Sequence, residues 1–284
     1  MKTRRLPAFV LIFLLVPALL SGCVPSEGKK TLAGTGLGQL GTIKVISREE
    51  GSGTREVFSK TLDLFDNSTG RDCITGDAVQ AESGDQVIED VAGEPAAIGY
   101  VSAGSLDGTE NKVHTVTVDG KNLNRNFYLA YSGKLSDLET DFLTYVEGKG
   151  QEIVGENFKP VKKTTSFLSG KPKGTLKIGG SSSIAGLMQE LSDAYMEINP
   201  NAEITVVTTD STNGLTGVMS GIYDFGMSSR ELKDYEKELL DYDVIAKDEI
   251  SVIVKKENPL KNISSSDLRK IYSGEITEWK ELDD

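Results

Sequence analysis

Four short stretches carry most of the chemistry this sequence can offer. Gly51–Thr54 (GSGT), Gly180–Ser183 (GSSS) and Asp210–Gly214 (DSTNG) are small, hydroxyl-rich turns between strand-like and helix-like runs, and Ser228-Ser229 follows another strand-like segment. A helix start leaves backbone N–H groups without intrahelical acceptors and carries a partial positive charge, so each turn is a potential anion seat. Small hydroxyl residues are also ordinary N-caps, which alone would explain any one turn. Three such turns in one chain point instead to a shared oxyanion site, because strand ends of an open α/β sheet face the binding crevice.

Other chemistries lack their parts. His114 is the only histidine and sits in the alternating run Val113–Val118 (VHTVTV), whose pattern points it to solvent, so a Ser/His/Asp arrangement has no evident base. Cys73, the only cysteine besides Cys23, reads as a passive thiol. Histidine and carboxylates do not cluster at metal-ligand spacing, and GSGT lacks the Lys-Ser/Thr that completes a P-loop. No catalytic residue, metal or cofactor is therefore expected. With 43 Asp and Glu against 31 Lys and Arg, the formal net charge is −12. That balance disfavours nucleic acid and anionic lipid as partners. If such a molecule binds an anion, local dipoles and one or two placed cations must oppose its own field.

The N-terminus reads as an export leader. Lys2, Arg4 and Arg5 precede an apolar run, Leu6–Leu20, that is short for a membrane span. It ends in Leu20-Ser21-Gly22-Cys23, which resembles the lipobox of bacterial lipoproteins, where the cysteine is acylated and becomes the first mature residue. Residues 1–22 are thus expected to be a signal peptide and Cys23 the lipidation site, the alternative being an ordinary secretory signal with a chance cysteine. Residues 23–40, rich in Gly and polar side chains, read as a flexible tether.

Beyond it, strand-like and helix-like runs alternate, which predicts an α/β fold with mostly parallel sheets. Thr42–Ile46, Ala96–Val101, Val113–Val118, Leu176–Ile178, Glu203–Thr208 and Ile250–Val254 read as strands. Helical stripes run over 55–65, 135–146, 184–195 and 267–272, with another helix from about Leu215. Pro160–Gly174 (PVKKTTSFLSGKPKG) reads as a connector.

Five stretches together resemble the PstS-type phosphate-binding proteins of ABC importers: KVISREEGSGTREVF (44–58), GEPAAIGYVS (93–102), KIGGSSSIAGL (177–187), DFGMSSRELK (224–233) and DLRKIYSGEITEWKEL (267–282). Their order is unusual. In the family the GSSS strand comes first and SREEGSGTR follows the GEITEW helix, whereas here SREEGSGTR opens the body and GEITEW closes it, as in a circular permutation. The resemblance implies a two-lobe, type II periplasmic-binding-protein-like fold that closes as a hinge. One lobe would be discontinuous, 41–118 plus 257–284, and the other continuous, 126–254. The chain would cross between lobes near 119–125 and 255–259. The family usually has a longer stretch after the VDG motif than Val118–Phe127 allows here.

The resemblance also implies a ligand set. Arg48 matches the arginine of the family's ligand loop, and a guanidinium can meet two phosphate oxygens at once. Ser52, Gly53 and Thr54 follow it at a helix start. Ser182, Ser183 and Ile184 match the first ligand loop, Ile184 through its N–H alone, with Ser211 in the second loop and Ser229 after the DFG strand. Some members carry an aspartate where Ser229 stands, accepting the ligand's proton and so separating phosphate from sulfate. Asp210 is a candidate replacement, or a turn aspartate. Glu50 is a candidate support for Arg48, or a surface acid. The implied function is an extracytoplasmic lipoprotein, monomeric and anchored to the bacterial cell membrane only through its lipid, that passes inorganic phosphate to ABC importer membrane subunits. A binder or surface sensor for sulfate, molybdate or a phosphorylated metabolite, an adhesion module, and a phosphoester hydrolase are the alternatives.

Overall fold

Strands and helices alternate along residues 36–282, the span described by this computed structural model; the leader, Cys23 and most of the expected tether lie outside the described residues. The chain begins with β1 (Lys44–Arg48), α1 (Gly53–Thr61), the short pair β2 (Phe65–Asp66) and β3 (Arg71–Asp72), β4 (Val79–Ala81), α2 (Gly84–Gly93), β5 (Ala97–Ser102) and β6 (Val113–Asp119). Next come β7 (Asn124–Tyr131), α3 (Asp137–Glu147), α4 (Gln151–Asn157), β8 (Gly174–Ser181), α5 (Ser182–Ile198), β9 (Ala202–Thr209), α6 (Ser211–Met219), β10 (Phe225–Ser228) and α7 (Asp234–Leu239). The long β11 (Asp241–Lys255) leads to β12 (Asn262–Ser264), α8 (Ser265–Ser273) and a closing 3-10 turn, Trp279–Leu282.

One sheet runs β4-β1-β5-β11-β7-β10-β8-β9, with β6 on β11 and β12 on β6. Its flanks are parallel, β1 with β4 and β5, and β8 with β9 and β10. Its centre is antiparallel, because β11 runs against β5, β6 and β7. Helices cover both flanks, so the fold is α/β.

The apolar core divides along β11. Phe58, Tyr100, Ile250, Val252, Val254, Tyr272 and Trp279 share one buried cluster. Phe127, Phe142, Ile178, Tyr195, Phe225 and Ile245 share another. Asp241–Glu249 pairs with β7, whereas Ile250–Val254 pairs with β5. β11 thus serves both clusters, Ile250, Val252 and Val254 packing in the first and Ile245 and Ala246 in the second. Val252–Val254 is held between β5 and β6 and fully buried. Residues 120–123 link β6 to β7.

One sequence expectation shifts. The helix expected over 55–65 stops at Thr61; Asp63 turns left-handed (φ 55°) and Phe65 enters β2. Asp241–Glu249 (DYDVIAKDE) is strand despite its charges. The two ends of the body meet: Thr42 bridges Glu278, Ile43 N donates to Thr277 O (2.8 Å) and Trp279 N donates to Gly41 O (3.0 Å). Among the described residues no helix is long and apolar enough to cross a membrane.

Candidate oxyanion site

Each element that reaches the site ends or begins there. β1 delivers Arg48 at its last residue, buried with Ser47. Gly51 (φ +89°) then turns the chain, and Ser52 caps α1 by accepting from Arg55 N (3.4 Å). The loop is braced from α1, where Arg55 donates to Arg48 O (2.8 Å) while gripping Asp72 through two bonds of 2.6 and 2.9 Å. From the other core, β8 runs directly into α5 at Ser182, β9 into α6 behind its cap Asp210, and β10 ends at Ser228. Gly180 (φ +137°) lets β8 pass against β10: a Cβ there would strike Met227 O and lie 2.8 Å from Met227 N.

These ends converge across the two cores. Arg48 Nη2 donates to Ser182 Oγ (2.9 Å), and Thr54 Oγ1 shares a hydrogen bond with Ser183 Oγ (2.9 Å). Ser211 Oγ accepts from Ser229 N (3.0 Å) and lies 3.3 Å from Ser229 Oγ, which accepts from Ser181 Oγ (2.9 Å). Gly53 abuts the same pair, since a Cβ on it would strike Ser211 Oγ, stand 2.7 Å from Ser229 Oγ and 3.0 Å from Arg230 N. Ser52, Thr54, Ser183, Ser211 and Ser229 are all buried, and Ile184 lies fully in the second core. Arg48, Ser52–Thr54, Ser182–Ile184, Ser211 and Ser229 therefore come together at the starts of α1, α5 and α6.

Glu50 and Asp210 stand differently. Glu49, rather than exposed Glu50, meets Arg48, with Oε2 on Nε and Oε1 on Nη2, each at 2.8 Å. Burial pushes the Glu49 carboxyl up from its ordinary range, against the pull of Arg48. Asp210 accepts from Asn213 N (2.8 Å) and from the Asn213 side chain as the cap of α6, its carboxylate lying against Gly51. Beside the serines, Arg230 grips Glu236 through two 2.8 Å bonds and reaches Glu56 of α1 at 3.3 Å.

Two residues at the site escaped sequence reasoning. Arg125 of β7 and Asp248 of β11 stand opposite each other in register and form an ion pair, Nε to Oδ2 at 2.8 Å, with side chains only 2% and 1% exposed. Arg125 Nη1 donates to Thr54 Oγ1 (2.7 Å), the hydroxyl that meets Ser183. An arginine one residue from an apolar run was visible; its partner, more than a hundred residues on, was not. The pair also borders an open cavity of about 800 Å³ between the cores, lined by Lys60, Asn124, Lys159, Arg230 and Lys247 among others.

Buried hydroxyls, amide-bearing helix starts and the Arg48 guanidinium are donors of the kind a small tetrahedral anion requires, and among the described residues no imidazole or thiol is in reach. His114 contacts Lys261 Nζ (2.8 Å) on β6, and Cys73 is exposed. A PBP superfamily domain model matches residues 26–168 and again 165–284. Phosphate-binding protein PstS 2 of Streptococcus pneumoniae TIGR4 is 36% identical over 256 residues, 85% of this chain and 88% of the relative. Phosphate-binding protein PstS of Staphylococcus haemolyticus matches over 118 residues at 36% identity, 39% of this chain and 37% of the relative. The crystal structure of a phosphate ABC transporter's phosphate-binding protein from Streptococcus pneumoniae TIGR4 superposes with a TM-score of 0.68 at 35% identity, covering 85% of this chain and all of that one. Matched by one domain model along nearly its whole length and by a relative over most of both sequences, this chain belongs to the PBP superfamily, among the PstS-type phosphate-binding proteins.

Proposed function

We propose that this chain captures inorganic phosphate between two lobes and passes it to the membrane subunits of an ABC importer. The observation that carries the reading is the convergence of Arg48 with Thr54, Ser183, Ser211 and Ser229 from opposite cores. A phosphate between α1 and α5 would exchange the Arg48–Ser182 and Thr54–Ser183 bonds for bonds to its own oxygens. Amides at three helix starts and a buried guanidinium then offset the acidic body, because their field acts at contact distance in a dry site. Arg48, Ser52, Gly53, Thr54, Ser182, Ser183, Ile184, Ser211 and Ser229 are the proposed ligand set. The lobes, roughly 41–119 plus 250–282 and 124–249, would hinge at 120–123 and within β11.

The leader reading adds a lipid on Cys23 and residence on the outer face of the cell membrane, as a monomer. No step of catalysis is assigned. Paired ends at 41–43 and 277–279, the doubled domain match and the partial match to the staphylococcal relative support exchanged halves.

Ser229 favours a second reading, a protonless oxyanion such as sulfate, because a hydroxyl does not repel it as a carboxylate would. Calorimetric titration of residues 41–284 with phosphate, sulfate and molybdate separates the two. Phosphate binding at one site, with sulfate at least about a hundredfold weaker, is expected; the reverse order overturns the phosphate assignment, and turnover of a phosphoester overturns the assignment as a binder. The same titration of Asp210→Asn decides the role of that carboxylate. Asparagine caps a helix as well as aspartate, so unchanged discrimination identifies Asp210 as a cap, and its loss identifies the proton acceptor.

A further inference from the structure

We propose that Arg125, held by Asp248, is a second guanidinium of the oxyanion seat, so that the ligand's charge is met from both lobes; this rests on the binding function proposed above. Arg48 reaches across to Ser182 on α5, and Arg125 reaches the opposite way to Thr54 on α1. The two arginines thus bracket the Thr54–Ser183 contact from opposite cores. Each has its own carboxylate, Glu49 for Arg48 and Asp248 for Arg125.

A purely structural role accounts poorly for this pair. Its side chains are almost wholly buried, and although Arg125 Nη2 lies 2.8 Å from Asp248 Oδ2, Asp248 Oδ1 has no hydrogen-bond partner. Well-packed apolar side chains would join β7 to β11 at least as well as a desolvated pair with an unused carboxylate oxygen. A seat that must hold an anion gives the charge a reason to be there. Arg48 is also close enough that its charge, after burial itself, helps depress the Arg125 pKa. An anion between the two guanidinia turns that repulsion into attraction, and the coupling is reciprocal. Arg125 then acts as a ligand residue, and Asp248 as the group that sets its fork and keeps the unliganded site near neutrality.

The test is phosphate titration of Arg125→Lys and of the double variant Arg125→Met/Asp248→Leu, each with thermal melting. Lysine keeps a cation for Asp248 but loses the fork, and the double variant leaves no orphaned charge to unfold the protein. Melting temperatures of the ligand-free forms should stay close to wild type. The Kd for phosphate should rise about tenfold or more in the lysine variant and further in the double variant, as loss of charge-assisted bonds predicts. Wild-type Kd in a folded variant of either kind overturns the assignment and leaves a staple between β7 and β11. If the wild-type chain binds no oxyanion, the seat itself is wrong and this inference goes with it; unchanged variants beside a binding wild type remove only the role of Arg125.

Discussion

At the residue scale, the site is defined as much by what fits as by what donates. Gly53 opens α1 with only the width of a hydrogen between it and Ser211 and Ser229, and Arg230 N is 3.0 Å from where a Cβ would stand. The hydroxyls could rotate away, but the backbone amide could not. Gly53→Ala therefore pits two effects against each other. Within a helix alanine is favoured over glycine by about 0.5–1 kcal/mol, less at its first position, and the shift of the two buried hydroxyls offsets that gain, so the ligand-free protein should melt close to wild type. Closure around an anion should suffer, with phosphate Kd up by about tenfold or more, since even a few tenths of an ångström at a charge-assisted bond costs on the order of 1 kcal/mol. Melting curves with and without phosphate check both: the ligand-induced shift should shrink while the baseline holds. Wild-type affinity in this variant would show that α1 and the serine pair do not close on the ligand. Glu49 and Glu50 teach a related lesson. Both stood beside Arg48 in sequence, and which one meets the guanidinium depends on how the chain leaves β1.

At the element scale, α1, β5 and α8 share one aromatic seam beneath Arg48. Tyr100 of β5 stacks on Phe58 of α1 (3.9 Å between centroids), and Tyr272 of α8 lies edge-on to the same ring (4.7 Å). The Tyr100 hydroxyl meets Ser47 Oγ (2.8 Å) and accepts from Arg48 N (3.3 Å), so the seam props the arginine loop from below. Burial pushes the Tyr100 phenol up to about 12, and Tyr272 moves the same way. A folded-state pKa above the ordinary value near 10 gives stability that is full below about pH 10 and lost as pH rises towards 12. Over that window Tyr100 should account for roughly 2–3 kcal/mol of alkaline destabilisation. Denaturant melts at stepped pH should show Tyr100→Phe starting about 1 kcal/mol less stable at neutral pH, for its lost hydrogen bonds, and falling less steeply above pH 10; parallel curves would mean that the phenolate is tolerated in the seam. These elements also mark the limit of sequence reading. Turns opening into helices were legible because capping and anion binding both require small hydroxyl residues at fixed places. The first half of β11 was not, because its Asp and Lys side chains hide the alternation, and Arg125 was not, because its role depends on a register that only strand pairing sets.

At the scale of the whole molecule, continuity and contact disagree. The antiparallel bridge between Thr42 and Glu278, and the bond from Trp279 N to Gly41 O, place the first strand against the last turn, where the family's usual order has one uninterrupted chain. The usual ends are joined instead by residues 160–173, which form no helix or strand and expose Leu168 almost completely. If the halves are merely exchanged, the fold depends on contacts that both orders make, and loop closure differs between them by no more than about 1 kcal/mol. A rearranged chain running from 170 to 282, through a short Gly/Ser linker, and on from 41 to 168 should therefore fold. Its two-state stability should lie within about 2 kcal/mol of the native order, and its phosphate Kd within a few fold, because every ligand residue returns to the same place. Denaturant melts and calorimetry on both chains make the comparison. A rearranged chain that folds but does not bind would mean that the connector at 160–173 sets the relative position of the lobes. One that fails to fold would mean that the antiparallel seam at Thr42 and Glu278 is not where the family's chain continues.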